Sequence, residues 1–592
     1  MLLPRSPAIV VAVEAKIIDP DGNAIALTDA QCDAVRIFWR WWWLWTIPDD
    51  SPGDYILQVA LRAADGRVLT TIAQPLGTVK PFVADLRERA RELLTIARRE
   101  AFNARKRNDE QACGRWATLW WHVRRFYNDF TRQLDEEPSL ATVQRFEGRW
   151  RNLQDMRRNV EAGRDPFHGR TGVLEKAFLS DMDDTLQPYS VYIPPIYYNV
   201  LARKPVSLPN ELQAVLAQDA ELKAALDTNS FSKNGFPLVV RLHGLGGTHH
   251  LGAPSKSDVL WAVINLAPYG RGPTDYKAWG EVDVICAIRE VLRDYFVDAD
   301  RVYLTGTSMG GTGSWQIGTH YPDMFAAIAP VCGNADHRVW EREWNWGQSE
   351  RTFLTELRNF LENCESPVFF AENLMHVPVY CVHGDADRVV PVGHSRSMVS
   401  RLRELGYAVI YDEQKGVGHG GFESGTFSRL HQWLLKQRRN RYPKRVVYKT
   451  GWLRYKGAYW VEINRFERYL QFAQIDAEIV APNAITVRTD NVAHFTLRLN
   501  DHLIDTQQLV TVCIDNSFVY RGAVNSDGTL SFAKRKLSNG AYEWVLEAPP
   551  QGLVKSATLE GPIEVAFYSR FIIAYGTVGN DPDAVEVNEI EA

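Results

Sequence analysis

The sequence predicts a multidomain α/β protein, in which a mostly parallel sheet covered by helices is flanked by β-rich and helical parts. Two observations lead to this prediction. The chain has 592 residues, which is too long for one hydrophobic core and favours several domains. From about residue 170 to residue 440, short apolar runs alternate with amphipathic segments, which is typical of parallel strands connected by helices.

Residues 1–80 are predicted to form a β-rich domain that resembles a small sandwich. Strand-like runs cover residues 10–18, 35–47, 55–63 and 67–72, and turn residues such as Asp19-Pro20-Asp21-Gly22 separate them. The run at 38–45 contains five tryptophans. Because it is apolar on both faces, we interpret it as a strand packed on both sides, with a sugar-binding platform as the open alternative.

Residues 81–165 are predicted to form an antiparallel bundle of three helices. The clearest apolar stripe has helical spacing and stops before Gly163 and Pro166. The many arginines of this part are interpreted as a solvated face and not as a nucleic-acid patch. The stripe consists of Leu140, Val143, Phe146, Trp150, Leu153, Met156 and Val160.

Residues 166–443 hold the α/β pattern, and residues 444–592 return to the alternation of a β-rich domain. In the last part, Asn525-Ser526-Asp527-Gly528 and Asn539-Gly540 are predicted hairpin turns. The joint before it, at Tyr442-Pro443, is short and stiff, so we expect the two domains to pack against each other.

The pentapeptide Gly306-Thr307-Ser308-Met309-Gly310 is the most informative motif of the chain. It follows the strand-like run at 301–305 and precedes a helical segment. A Gly-x-Ser-x-Gly element between a strand and a helix is typical of a nucleophile elbow, whose sharp turn leaves room only for glycine on either side of the serine. We therefore predict that Ser308 is a nucleophile.

An acid and a base follow Ser308 in the order expected of an α/β-hydrolase, Ser then Asp then His. Asp387 comes after the strand-like run at 377–382, and His419 lies in a glycine-rich loop after the run at 408–411. His419 would accept the serine proton, and Asp387 would fix the tautomer of the imidazole.

Asp385 is a second candidate for the acid. In the pattern His-Gly-x-x-Asp, however, the aspartate whose side chain extends from the loop stands at position 387. His394 and His431 also follow Asp387, in segments that are interpreted as ordinary helices. We assign the triad to Ser308, Asp387 and His419.

Two backbone N–H groups are predicted to form an oxyanion hole. One belongs to Met309, the residue after the nucleophile, and the other to Leu245, with Gly246 as the alternative. Leu245 and Gly246 lie in a glycine-rich loop after the strand-like run at 238–242.

Five motifs follow one another along the chain, namely Leu242-His243-Gly244-Leu245-Gly246-Gly247, Ala267-Pro268-Tyr269-Gly270-Arg271-Gly272, residues 300–306, Ser308-Met309-Gly310-Gly311 and His383-Gly384-x-x-Asp387. Together they resemble the bacterial α/β-hydrolases grouped with prolyl-oligopeptidase-type (S9-like) peptidases, polyhydroxybutyrate-depolymerase-like proteins and feruloyl or acetyl esterases. The resemblance covers about residues 170–440 and implies the fold and the triad. The flanking domains differ from those of a prolyl oligopeptidase, since about 165 residues before the core cannot form its seven-bladed propeller.

Further expectations concern substrate contacts and metals. Trp340 and Trp344 lie in an insertion that precedes the Asp387 strand, where aromatic side chains could face substrate or pack within a cap. The pair His249-His250 has no neighbouring carboxylate or cysteine in the sequence, so we interpret it as a solvated loop pair. No metal site and no organic cofactor are predicted.

The leading hypothesis is a serine hydrolase that cleaves carboxylic esters, of the carboxylesterase or feruloyl- or acetyl-esterase type, through an acyl-enzyme. An S9-like serine peptidase is the alternative enzyme, and an inactive carbohydrate-binding or scaffold protein is the alternative of another class. The expected substrate is a small-molecule or polysaccharide-linked ester, and the oligomeric state is left open.

Composition points away from other partners. A net charge of −5 favours neither nucleic acid nor an anionic membrane, and no run approaches the ~20 apolar residues of a membrane span. The seven cysteines are scattered and form no Cys-x-x-Cys pair. The expected location is cytoplasmic, or secreted or periplasmic if a signal segment has been removed.

Overall fold

The computed structural model describes residues 12–19, 24–27, 31–35, 38–42, 55–63, 65–76, 79–133, 140–344 and 353–560. The described residues within 1–103 and 119–166 form one unit, and those within 104–118 and 167–592 form a second. The predicted domain boundaries at 80, 165 and 443 stay predictions. Within the described part of the chain, no helix combines the length and the apolar character needed to cross a membrane.

The first unit begins with short antiparallel strands. Four of the strands form one sheet in the order β2-β1-β5-β6. The other two, β3 and β4, pair with each other in a separate sheet. The strand predicted over 35–47 is therefore wrong at its start, since one strand ends at Val35 and the next begins at Phe38. The side chains of the tryptophan-rich run at 38–45 lie outside the described residues. The strands are β1 (Ala12–Ile18), β2 (Ala24–Ala26), β3 (Gln31–Val35), β4 (Phe38–Trp42), β5 (Tyr55–Arg62) and β6 (Val68–Leu76).

Three long helices follow, namely α1 (Val79–Lys106), α2 (Glu110–Gln133) and α3 (Leu140–Glu161). The described part of the predicted stripe on α3, from Phe146 to Val160, is buried. Phe146 makes edge contacts with Phe126 and Phe130 of α2, at ring-centroid distances of 5.7 and 5.0 Å. The helical periodicity of the sequence thus identified the face that packs.

An eight-stranded sheet in the order β14-β13-β12-β11-β9-β10-β8-β7 forms the centre of the second unit. The six strands from β9 to β14 are parallel to one another, whereas β8 runs antiparallel to both of its neighbours. The predicted mostly parallel sheet is confirmed. The strands are β7 (Gly172–Leu179), β8 (Leu186–Ile193), β9 (Phe236–Leu242), β10 (Ile264–Pro268), β11 (Val297–Thr307), β12 (Ala327–Val331), β13 (Val379–Gly384) and β14 (Val409–Gln414).

The helices around this sheet explain why β9 and β12 are almost entirely buried. β12 is buried at every position and β9 at all but Arg241, as expected for parallel strands covered on both faces. Short 3-10 segments lie at Val259–Ala262 and Pro367–His376. The helices are α4 (Tyr197–Leu201), α5 (Asn210–Leu216), α6 (Ala220–Ala225), α7 (Thr228–Asn234), α8 (Trp279–Asp294), α9 (Met309–His320), α10 (His337–Trp344), α11 (Phe353–Cys364), α12 (Gly393–Glu404) and α13 (Thr426–Lys436).

Two five-stranded sheets make up the C-terminal β-rich part, in the orders β15-β18-β19-β21-β22 and β16-β17-β20-β23-β24. All pairs are antiparallel except β19 with β21. Asn539-Gly540 turns between the paired strands β23 and β24, but the turn at 525–528 joins strands of different sheets, so the hairpin predicted there is wrong. The strands are β15 (Arg445–Thr450), β16 (Gly457–Ala458), β17 (Val461–Phe466), β18 (Ala473–Ala481), β19 (Ala484–Asp490), β20 (Val492–Arg498), β21 (Val510–Ile514), β22 (Ser517–Gly522), β23 (Thr529–Lys536) and β24 (Tyr542–Leu546).

The C-terminal part packs directly on the region that contains the eight-stranded sheet. The buried Tyr448 hydroxyl donates to the carbonyl of His320 (3.2 Å), and the Tyr455 ring stacks on the His320 imidazole at 3.7 Å. The Asn373 side chain donates to the carbonyl of Lys449 (3.0 Å) and accepts from its N–H (2.7 Å). A side-chain amide thus bonds to the backbone of β15 as a neighbouring strand would.

Deleting residues 446–592 is therefore expected to lower the melting temperature of the remainder by more than about 5 °C and to reduce its solubility. The deletion uncovers the His320 ring and the aromatic side chains beside it, and 1 kcal/mol corresponds to about 2–4 °C in a domain of this size. Differential scanning fluorimetry measures the effect. Phe518→Ser, at a position that is 65% exposed on β22, is the control and should melt like the parent. A soluble 1–445 protein with an unchanged melting temperature would contradict a packed interface.

Candidate active site

Ser308 stands at the sharp turn between β11 and α9, with φ of 61° and ψ of −122°. A positive φ costs a residue with a side chain on the order of 1–3 kcal/mol. The Ser308 N–H donates to the carbonyl of Val331 (2.9 Å), which helps to hold this conformation. A Cβ on Gly306 would lie 2.5 Å from the carbonyl oxygen of Gly310, and one on Gly310 would collide with the carbonyl of Leu242. Both glycines of the motif are thus required by the close approach of backbone.

Ser308, His419 and Asp387 form one chain of hydrogen bonds. The Ser308 hydroxyl lies 2.7 Å from His419 Nε2, and His419 Nδ1 lies 2.7 Å from Asp387 Oδ2. The Asp387 side chain is fully buried, whereas the His419 side chain is 24% exposed. Since a carboxylate only accepts, Nδ1 carries the proton and Nε2 is left to accept from the serine. The three residues predicted from the sequence are thus brought together at the carboxyl ends of β11, β13 and β14.

The buried carboxylate of Asp387 is held from several sides. Its Oδ1 accepts from the N–H groups of Val389 (2.8 Å) and Val390 (3.0 Å). The buried His383 ring lies beside it, with Nε2 3.3 Å from Asp387 Oδ2 and 2.9 Å from the carbonyl of Val390. Burial lowers the pKa of His383, so the ring is neutral, donates to Val390 and accepts from the hydroxyl of Ser395 at Nδ1 (2.7 Å). His383 entered the sequence analysis only as part of a motif, and its spacing from Asp387 was the available signal.

The alternative acid and bases lie elsewhere. Asp385 Oδ1 accepts from the N–H of Gly416 (2.6 Å), so this side chain anchors the loop that carries His419. His394 is buried near the start of α12 with Nδ1 3.3 Å from the backbone nitrogen of Asp336, and His431 is buried in α13. The base that bonds to Ser308 is His419.

The loop predicted to complete an oxyanion hole runs beside the nucleophile. A Cβ on Gly244 would lie 3.7 Å from the Cβ of Ser308, so backbone passes close to the reacting atom. Leu245 follows and is 72% exposed, and Gly246 has φ of 75°. Met309 is the first residue of α9, so its N–H belongs to the donors without an intrahelical partner. The roles of Met309 and Leu245 stay predictions.

The predicted substrate contacts lie on α10. The Trp340 ring packs against the His394 ring at a centroid distance of 4.5 Å, so this tryptophan contacts the helix that begins six residues after Asp387. Trp344 is the last residue of α10, and its side chain lies outside the described residues. Whether either residue contacts substrate stays a prediction.

The expectation of a solvated His249-His250 pair is wrong for His249. Its side chain is buried, and its Nε2 lies 2.9 Å from Oε1 of Glu175 on β7, whereas His250 is exposed. Glu175 precedes His249 by 74 residues, so proximity in the sequence could not reveal the pair. The atoms of Glu175, His249 and His250 that could bind a metal ion lie within 4.8 Å of one another.

Cys332 is a second residue whose place the sequence did not indicate. It is buried, its thiol lies 3.9 Å from the carbonyl of His419, and its sulfur lies within 4.8 Å of the nearest side-chain ligand atoms of Asp387 and His419. Burial raises the pKa of this thiol to about 12, so it stays protonated at neutral pH.

Comparison with known proteins agrees with the fold and the motifs. Residues 269–437 match the prolyl oligopeptidase family, peptidase family S9. The putative esterase NocK of Nocardia uniformis subsp. tsuyamanensis is 32% identical over 114 residues, which are 17% of this chain and 33% of that protein. An uncharacterized secreted protein of Arthroderma benhamiae is 26% identical over 217 residues, which are 33% of this chain and 22% of that protein. This chain thus spans a third or less of the length of these relatives.

A solved structure of a thermostable esterase is also similar, with 17% sequence identity and a TM-score of 0.29, over 74% of this chain and 94% of that one. The order and direction of the strands, the turn at Ser308 and the family match over 269–437 agree with the resemblance stated from the motifs. The resemblance stated from the motifs is therefore confirmed: residues 269–437 match the prolyl oligopeptidase family, and the mostly parallel sheet covered by helices is the fold expected of an α/β-hydrolase.

Proposed function

We propose that the protein is a serine ester hydrolase of the carboxylesterase type, with Ser308 as nucleophile, His419 as base and Asp387 as the acid that orients it. The observation that carries the proposal is the continuous chain from Ser308 Oγ through both nitrogens of His419 to Asp387 Oδ2, with 2.7 Å at each step. A serine hydroxyl is protonated at neutral pH, so a base at this distance is what makes it a nucleophile.

The geometry supports a two-step reaction. Ser308 Oγ attacks the ester carbonyl while its proton passes to His419 Nε2, and the oxyanion is stabilised by the N–H groups of Met309 and Leu245. The intermediate collapses, the bond to the alcohol oxygen breaks, and His419 returns the proton to the departing alcohol. Water then attacks the acyl-enzyme with His419 again as base, which releases the acid and restores Ser308.

Two observations favour an ester over a peptide. About 165 residues precede the hydrolase core, too few for the seven-bladed propeller of a prolyl oligopeptidase, and their described parts form one four-stranded sheet, one two-stranded sheet and three helices. In addition, one curated relative is described as a putative esterase. We propose a small-molecule or polysaccharide-linked ester as substrate, of acetyl or feruloyl type, with Trp340 and Trp344 as contacts to it. Neither metal nor organic cofactor takes part in this mechanism.

The cellular location of the protein is also a proposal. The sequence favoured a cytoplasmic protein and left secretion open. The relative from Arthroderma benhamiae is described as secreted, which supports the second possibility for this chain.

Initial rates on a panel of p-nitrophenyl esters, compared with aminoacyl and prolyl p-nitroanilides, test the preference for esters. We expect kcat/KM for the best ester to exceed that for the best anilide by at least about 100-fold, which corresponds to about 2.7 kcal/mol in transition-state stabilisation. The Ser308→Ala variant, assayed under the same conditions, measures the background hydrolysis that does not depend on the proposed nucleophile. A prolyl or aminoacyl anilide that is cleaved as fast as the best ester would identify a peptidase instead.

A further inference from the structure

We infer that Glu175, His249 and His250 form a binding site for a zinc-like divalent transition metal, and that the ion connects the loop carrying Leu245 to the eight-stranded sheet. The inference does not rest on the proposed ester hydrolysis, because none of the three ligands is Ser308, His419 or Asp387, although a bound ion would also position the loop that carries Leu245. It rests on the donor set, on its geometry and on its access to solvent.

The donor set is one that zinc prefers. Two imidazoles and one carboxylate supply nitrogen and oxygen ligands, and three protein ligands with a fourth position left for water are typical of open zinc sites. Magnesium and calcium prefer oxygen ligands, whereas two of these three ligands are imidazole nitrogens. The chemistry of the three side chains therefore selects zinc or a similar transition metal.

Binding of an ion by these three residues needs only small movements of their side chains. The ligand atoms of the three residues all lie within 4.8 Å of one another, and Glu175 Oε1 is 2.9 Å from His249 Nε2. Zinc–ligand bonds of about 2.0–2.1 Å in a tetrahedron place neighbouring ligand atoms about 3.3 Å apart. The Glu175 and His249 atoms would thus separate by a few tenths of an ångström as a metal replaces the proton between them.

Two of the three ligands are shielded from solvent, and the third is exposed. The side chains of His249 and Glu175 are 9% and 21% exposed, and the His249 ring also makes an edge contact with Tyr269 at 6.0 Å. His250 is exposed, with its ring centroid 4.7 Å from that of His249. An ion can therefore enter from the side of His250 and keep a water there.

The consequence of binding follows from where the ligands lie in the chain. Glu175 belongs to β7, at one edge of the sheet, and its backbone position is fixed by pairing with Ser190 of β8. His249 and His250 follow Leu245 by four and five residues, in the loop that turns at Gly246, where φ is 75°. A bound ion would hold this loop and the Leu245 N–H in one conformation and would stabilise the folded state.

The test is zinc binding by the full, untagged chain after treatment with chelator and dialysis, measured by isothermal titration calorimetry with ZnCl2 and by thermal melting. We expect one zinc ion per chain at this site, a rise in melting temperature, and slower hydrogen–deuterium exchange in the peptide that spans residues 243–250. MgCl2 at the same concentration is expected to change neither the melting temperature nor the exchange.

The variants His250→Ala and Glu175→Gln are each expected to weaken zinc binding by at least about 100-fold, since loss of a ligand should cost more than the 10–100-fold typical of outer partners. His168→Ala, an exposed histidine in the segment before β7, is the matched control and should bind like the parent. Cys332→Ser should also bind like the parent, which separates this site from the group at Cys332, Asp387 and His419. Absence of zinc binding, unchanged binding by both ligand variants, loss of binding in Cys332→Ser, or an equal response to magnesium would each overturn the inference.

Discussion

Replacing Ser308 with alanine is expected to lower kcat for ester hydrolysis by roughly 10⁴–10⁶-fold, because members of a nucleophile–base–acid chain act as a unit. The change removes the attacking oxygen and leaves the Cβ in place, so the backbone at φ of 61° is under the same strain as before. The melting temperature should therefore stay within about 2 °C, a change of about 1 kcal/mol or less. Initial rates and thermal melts of the two proteins measure both effects.

Two further variants sharpen this prediction. His419→Ala should cost about as much as Ser308→Ala, since the base is lost with its bonds to both partners. Ser400→Ala, an exposed serine on α12, should leave kcat unchanged and serves as the control. If Ser308→Ala kept a tenth of the parent activity with an unchanged melting temperature, another residue would be the nucleophile.

The second large effect distinguishes the two aspartates. Asp387→Asn is expected to lower kcat by about 10⁴-fold. Asp387 Oδ1 accepts from the N–H groups of Val389 and Val390, so the amide oxygen of an asparagine would take that place and its NH2 group would face His419 Nδ1. The imidazole would then carry its proton on Nε2 and could not accept from Ser308.

Asp385→Asn is the matched comparison, two residues away. Its amide oxygen can still accept from the N–H of Gly416, so we expect less than a tenfold change in kcat. Steady-state kinetics of both variants on one ester give the answer. A severe loss in Asp385→Asn with a mild loss in Asp387→Asn would reverse the assignment of the acid.

Much of the hydrolase region could be predicted because its signals are local. β12 is apolar along its whole length and β9 at every position but Arg241, and the glycines around Ser308 are demanded by backbone contacts that any such turn makes. Asp387 and His419 each follow a strand directly. Since carboxyl ends of parallel strands share one edge of a sheet, order along the chain was enough to place them together.

Other features could not be predicted because they depend on contacts between distant segments. Glu175 and His249 are 74 residues apart, and the Cys332 thiol meets the His419 carbonyl across 87 residues. The turn at 525–528 has the residues of a hairpin, yet its strands belong to different sheets. The same turn residues suit a connection between two paired strands and a connection between two sheets. Only the packing of the two sheets decides which connection forms.

Labelling by a fluorophosphonate probe, followed by mass spectrometry of the digested protein, tests the central claim most directly. An activated serine reacts with such a probe, whereas an ordinary serine does not. The chain of hydrogen bonds from Ser308 to Asp387 predicts one adduct per chain, on the peptide that contains Ser308, and its loss in His419→Ala. A folded parent protein that takes up no probe, or that carries it on another residue, would contradict the assigned site and would favour an inactive binding or scaffold protein.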